Sequence, residues 1–108
     1  MSSLKTSLAA KRCESGSEGF EPHNQSTVTD INGGITRTHT KHVTFSPPFP
    51  SIPKVTAGIT YIDAEHTTNT RIHTDVINLQ ASGFDLKVQE WLDSYNYGVN
   101  LMWMACSN

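Results

Sequence analysis

Between Lys54 and Ala64 the side chains alternate. Val55, Ala57, Ile59 and Tyr61 fall on one face of an extended chain, and Thr56, Gly58, Thr60 and Ile62 on the other. A period of two is the mark of a β-strand, because successive Cβ atoms point to opposite sides of the pleat. The same rhythm recurs along the chain. Thr36 to Phe45 carries β-branched residues at alternate positions. Thr70 to Gln80 sets Ile72, Thr74, Val76 and Asn78 against Arg71, His73, Asp75, Ile77 and Leu79. Phe84 to Trp91 alternates Phe84, Leu86 and Val88 with charged residues, and Tyr97 to Ala105 brings Val99, Leu101, Trp103 and Ala105 into register. Arg12 to Glu21, interrupted by Gly16 and Gly19, reads as an irregular or bulged strand. Ser26 to Thr29 reads as a short extended piece.

The segments between are turn chemistry. Pro22 to Gln25, Asp30 to Gly34, Glu65 to Asn69, Ala81 to Gly83 and Asp93 to Asn96 are rich in Asn, Asp, Gly, Ser and Pro. Asn32-Gly33-Gly34 supplies positive φ for a tight loop. Ser46 to Pro53 holds four prolines and is a rigid connection. No segment carries an i, i+3, i+4, i+7 apolar stripe, and the nearest helix candidate, Leu86 to Ser94, fits alternation better. Short strands punctuated by turns predict an all-β, six-stranded antiparallel β-sandwich over residues 12–108, preceded by a flexible N-terminal arm over 1–11.

Length and charge narrow the functions open to such a domain. The chain has 108 residues, enough for one modest core. Charged residues are 17% and the net charge is −2, with no cluster of Lys and Arg, so nucleic-acid binding is not expected. No apolar run approaches the roughly 20 residues needed to cross a bilayer, so membrane insertion is not expected either. The start of the chain lacks the roughly 7–15 apolar residues of a secretory signal. That predicts a cytoplasmic protein, or one released by a non-classical route, and with it reduced thiols at Cys13 and Cys106. A bridge between them requires the two ends of the chain to lie side by side.

Few residues point to chemistry. Arg71 heads a strand after a polar turn, where a flat guanidinium can be held rigidly against paired hydroxyls or a carboxylate; the plain alternative is a solvated surface arginine. Trp91, Tyr95, Tyr97 and Trp103 gather around one turn. Rings at such a place pack on the C–H face of a sugar or anchor an interface, whereas Trp103, inside an alternating strand, reads as core. His39 and His42 lie on opposite faces of one strand, and His66 and His73 lack a third ligand, so no metal or other cofactor is predicted. The acids Asp63, Glu65, Asp75, Asp85, Glu90 and Asp93 read as lying on strand edges or turns. Paired carboxylates can cleave glycosides, but a domain this short leaves little room for a water-excluding cleft, and the chain is read as a non-enzyme.

The ordered series of motifs resembles a known family. His42-Val-Thr-Phe45, Pro48-Phe49, Pro53-x-Val55 and Gly58-Ile59-x-x-Ile62-Asp63 look like the first half of an H-type lectin domain, the family of snail agglutinin and the discoidin C-terminal domain. Asn69-x-Arg71, Ser82-Gly83-Phe84, Trp91, Tyr97 and Trp103 look like the second half. With Arg12-x-x-Ser15-Gly16 upstream, the resemblance covers about residues 12–105. It implies a homotrimer that binds glycans bearing galactose or N-acetylgalactosamine, in roles such as agglutination, cell adhesion or defence. The family's arginine falls on Arg71 and its aromatic pair on Trp91 and Tyr97. A histidine of the family is replaced here by Leu92, and its ligand-binding aspartate falls on Gly34, with Asp30 or Asn32 as alternative acceptors. The competing expectation is a structural or protein-interaction sandwich with a degenerate sugar site; a small hydrolase is a third.

Overall fold

In a computed structural model, which describes residues 12–31 and 34–108, the chain forms seven strands and, among the described residues, no helix. The strands are β1 (Cys13–Phe20), β2 (Thr27–Ile31), β3 (Gly34–Thr44), β4 (Lys54–Ala64), β5 (Ile72–Gln80), β6 (Gly83–Trp91) and β7 (Asn96–Cys106). All pairings are antiparallel: a three-stranded sheet in the order β1-β7-β4 faces a four-stranded sheet in the order β2-β3-β6-β5. The sandwich expected from the sequence is therefore present with seven strands rather than six. The added one is β2, the short piece around Thr27, which pairs with β3 from Thr27↔Thr38 to Ile31↔Gly34. The arm over residues 1–11 and Asn32 lie outside the described residues.

The core is built by the inward halves of β6 and β7. Phe84, Leu86, Val88, Val99, Leu101 and Ala105 are fully buried, and Trp103 nearly so. Phe45 stands at the centre of a ring cluster, 4.8 Å from Phe49, 5.5 Å from Phe84 and 6.1 Å from Trp103 between centroids. Two glycines let backbones and rings approach closely. A Cβ on Gly83 would lie 2.3 Å from the Val43 carbonyl oxygen, and one on Gly16 would lie 2.8 Å from the Trp103 ring.

Bulges break simple alternation in three places: in β7 at Tyr97, where Asp63 pairs with Gly98 but Ala64 with Asn96, and once each in β4 and β5. In β4 the register shifts between Ile59, opposite Leu101, and Tyr61, opposite Asn100. The extra residue, Thr60, reverses parity. Tyr61 therefore leaves the face of Val55, Ala57 and Ile59, and Ile62, opposite Val99, joins it. In β5 the shift falls between Ile77 and Gln80, at Asn78, whose φ is 55°. Leu79 is thereby brought to the core beside Ile72 and Val76.

The cysteines are bridged, contrary to the expectation of free thiols. β1 and β7 pair in register from end to end, which sets Cys13 opposite Cys106 with Cα atoms 4.1 Å apart, and a disulfide joins them. The first and last strands lie side by side, a geometry that the residues preceding Cys13 do not encode. The same corner is tied by the Ser107 amide donating to the Arg12 carbonyl at 2.8 Å.

Candidate functional site

One end of the sandwich gathers the β2–β3 hairpin, the β4–β5 connection and the β6–β7 turn. Two backbone hydrogen bonds fasten them together and a third closes the turn. The Leu92 amide donates to the Ile35 carbonyl, the Glu65 amide donates to the Tyr95 carbonyl, both at 2.9 Å, and the Ser94 amide closes the turn on the Trp91 carbonyl at 3.2 Å.

Parity decides which side chains share the outer face of the four-stranded sheet. Phe84, Leu86, Val88 and Glu90 of β6 point inward, so Asp85, Lys87, Gln89 and Trp91 point outward. Trp91 is paired with Thr36, and Thr36 with Thr29. On the other side, the pair Ile72↔Glu90 continued by one step sets Arg71 beside Trp91. Arg71 is anchored through its backbone. Its amide donates to Ser94 Oγ at 2.9 Å, and the Ser94 hydroxyl donates back to the Arg71 carbonyl at 3.3 Å. Its guanidinium makes an ion pair with Asp93, whose side chain is 57% exposed.

Tyr97 belongs to the other sheet and arrives from the opposite side. Its ring lies 4.8 Å from that of Tyr95, which in turn stacks on His23 at 3.5 Å and 12°. Its hydroxyl donates to Glu65 at 2.8 Å. That hydrogen bond, followed by those from the Thr67 and His66 amides, holds the Glu65 carboxyl below its ordinary value, and the carboxylate raises the Tyr97 phenol. The cation–π contacts among the described residues, Arg12 over Phe49 and Lys41 over Phe20, lie elsewhere. Arg71 and Trp91 thus stand at the end of one sheet, whereas Tyr97 stands at the same end on the other sheet, held by Glu65 and Tyr95.

The remaining predicted residues divide by face. Leu92 is half exposed and has φ 58°, a conformation seldom taken by a branched side chain. Gly34, opposite Ile31, stands two positions before Thr36 and so on the face of Trp91. Asp30, opposite Ile35, belongs to the other face. Asn32 lies outside the described residues.

Beneath the site is a polar network that the sequence reading missed. Glu90 is completely buried, not at an edge. Its carboxylate accepts from the Asn96 amide at 3.0 Å, the Asn96 side-chain amide at 2.9 Å and Arg37 at 2.8 Å, and lies 3.0 Å from His23 Nδ1. Asn96 also donates to Ser94 Oγ at 2.9 Å. A chain of hydrogen bonds therefore runs from buried Glu90 through Asn96 and Ser94 to the Arg71 backbone, so the core fixes the turn that presents the arginine. The signal was available: Glu90 continues the inward series Phe84, Leu86, Val88, and an acid there needs partners. His39 and His42, on one strand, face opposite ways. His39 lies edge-on to Phe20, and burial followed by nearby Lys41 lowers its pKa, whereas His42 meets Asp85 at 2.7 Å on the outer face.

A family model described as the H-type lectin domain matches residues 40–106. A protein of Fuscovulum blasticum described as "ATP synthase subunits region ORF 7" is 33% identical over 73 residues, covering 68% of this chain and 64% of that relative. Recombinant discoidin II of Dictyostelium discoideum superposes with a TM-score of 0.72 at 23% identity, over 90% of this chain and 37% of its own. A Pseudomonas phage tailspike shares the fold more distantly, with a TM-score of 0.57 at 14% identity, over 91% of this chain and 16% of the tailspike. The chain spans less than two thirds of each of these proteins.

Proposed function

The chain belongs to the H-type lectin domain family, and on that premise we propose that it binds glycans bearing galactose or N-acetylgalactosamine, multivalently, as a homotrimer and without turning them over. The observation that carries this reading is Arg71, locked by its backbone to Ser94, standing in register beside the outward ring of Trp91. A guanidinium donates to hydroxyls in a fixed plane, and an adjacent indole packs on the C–H face of a pyranose. The Tyr97 hydroxyl is already donating to Glu65, so toward a ligand it serves as an acceptor or as a ring surface.

Such open sites bind weakly one at a time, with Kd of order millimolar to micromolar, and gain when several engage one glycan surface. Support for assembly comes from β4. Ile59 and Ile62 share the face of Val55, which points between the sheets, yet they are 42% and 43% exposed. Apolar residues at core-facing positions without cover are suited to burial against another subunit. The Cys13–Cys106 bridge fits an oxidising environment, which favours release from the cell over residence in the cytosol.

The test is agglutination of red cells, with inhibition by galactose and N-acetylgalactosamine, alongside a glycan array. Inhibition by either sugar and array signals confined to galactose-type termini are expected. A folded trimer that binds no galactose-type glycan contradicts the proposal and favours a protein-interaction module.

A further inference from the structure

A galactose-type ligand needs an acceptor as well as a donor, because each sugar hydroxyl both donates and accepts. The resemblance places the family's acid on Gly34, which has no side chain to accept with, and Asp30 faces away from Trp91. We propose that Asp93, in the β6–β7 turn, supplies the missing acceptor, so that Arg71 and Asp93 act as a paired donor and acceptor for the ligand's hydroxyls. This inference rests on the lectin reading above.

Three observations carry it. Asp93 Oδ1 is bound to Arg71, whereas Oδ2 has no hydrogen-bond donor among the described residues, and the side chain is 57% exposed. The turn that bears it is fixed by its neighbours: Ser94 is bound to Arg71 on one side and to Asn96 on the other, and Leu92 is tied to Ile35. Finally, Arg71 directly precedes Ile72, which pairs with Glu90, the residue before Trp91, so continuing the ladder by one step brings a ring stacked on Trp91 within reach of the ion pair. One hydroxyl can then accept from the guanidinium and donate to the carboxylate. Charge-assisted hydrogen bonds of this kind are about twice as strong as neutral ones. The same ion pair also holds Nη1 of the guanidinium toward the turn before any ligand arrives.

The experiment is calorimetric titration of the assembled protein with methyl galactoside and its mono-deoxy analogues, comparing the wild type with Asp93→Asn and Arg71→Ala. Asp93→Asn is expected to weaken methyl galactoside binding at least tenfold, with an unchanged melting temperature. One deoxy analogue, lacking the hydroxyl that Asp93 holds, should bind wild type about as weakly, and Asp93→Asn should not weaken it further. If Asp93→Asn weakens every analogue by the same factor, the residue only positions Arg71 and the acceptor role is overturned. If Asp93→Asn binds like wild type while Arg71→Ala does not bind, the inference fails and the lectin reading stands. If the wild type binds no galactoside, or Arg71→Ala binds as well as wild type, the reading of this site fails, and the inference with it.

Discussion

Opening the Cys13–Cys106 bridge measures how much of the fold depends on holding its two ends together. The bridged residues are 93 positions apart. In the chain-entropy model, closing a loop of that length removes about 15.6 cal/mol/K from the unfolded ensemble, or about 4.6 kcal/mol at ~25 °C. Small domains are stable by about 5–15 kcal/mol, so the loss approaches the whole margin of a weak one. Part of β1 should stay in place without the bridge, because Phe20 is 2% exposed and the strand pairs with β7 along its length. The double variant Cys13→Ser with Cys106→Ser should therefore fold but unfold early. With a guanidinium slope of about 4 kcal/mol/M, the midpoint should fall by roughly 1 M. The assay is guanidinium denaturation followed by tryptophan fluorescence, at one fixed protein concentration because assembly also shifts the midpoint. A midpoint displaced by less than ~0.2 M, on an unchanged slope, would refute the view that the bridge stabilises the fold through the unfolded chain.

Four further outcomes follow from the same geometry. Glu90→Gln leaves Arg37, itself only 16% exposed, facing a neutral group at a fully buried position, and should cost about 3 kcal/mol in chemical denaturation; a loss below ~0.5 kcal/mol would place the network among ordinary surface ion pairs. Gly83→Ala puts a Cβ where only 2.3 Å separates it from the Val43 carbonyl, and a loss of about 2–3 kcal/mol is expected, so an unchanged melting curve would contradict the close approach. The Glu65 carboxyl, held low chiefly by Tyr97, favours the folded site above the ordinary glutamate value of 4.5 and gives up that stabilisation as the pH falls through its lowered pKa. In Tyr97→Phe its carbon NMR titration should move up toward the ordinary value; no movement would break the assigned contact. Ile59→Asp with Ile62→Asp should yield monomers in sedimentation, while a persistent trimer would show that the uncovered β4 face lies outside the interface.

Much of this architecture was legible because hydrophobic alternation survives in β6 and β7, where Phe84, Leu86, Val88 and then Val99, Leu101 and Trp103 point inward. Alternation misled only where a residue was inserted into the pleat. Thr60 turned Tyr61 outward and Ile62 inward, and Asn78 did the same for Leu79. Neither bulge has a glycine to announce it. The position of Arg71 at a strand head was readable from the turn before it. Its ion pair with Asp93 and its anchor on Ser94 were not, because both depend on a turn brought alongside by β6 pairing with β5. The bridge was hidden for the same reason: 93 positions of sequence separate two cysteines that a register of eight pairs, from Cys13↔Cys106 to Phe20↔Val99, makes neighbours.

The central claim is that the loops around Arg71 form a saccharide site. A crystal soaked with N-acetylgalactosamine tests it most directly. The account predicts a pyranose stacked on the Trp91 indole, with its hydroxyls within hydrogen-bond reach of the Arg71 guanidinium. A well-diffracting soak at saturating sugar that leaves this end bare, or that places the sugar on another face, would contradict it.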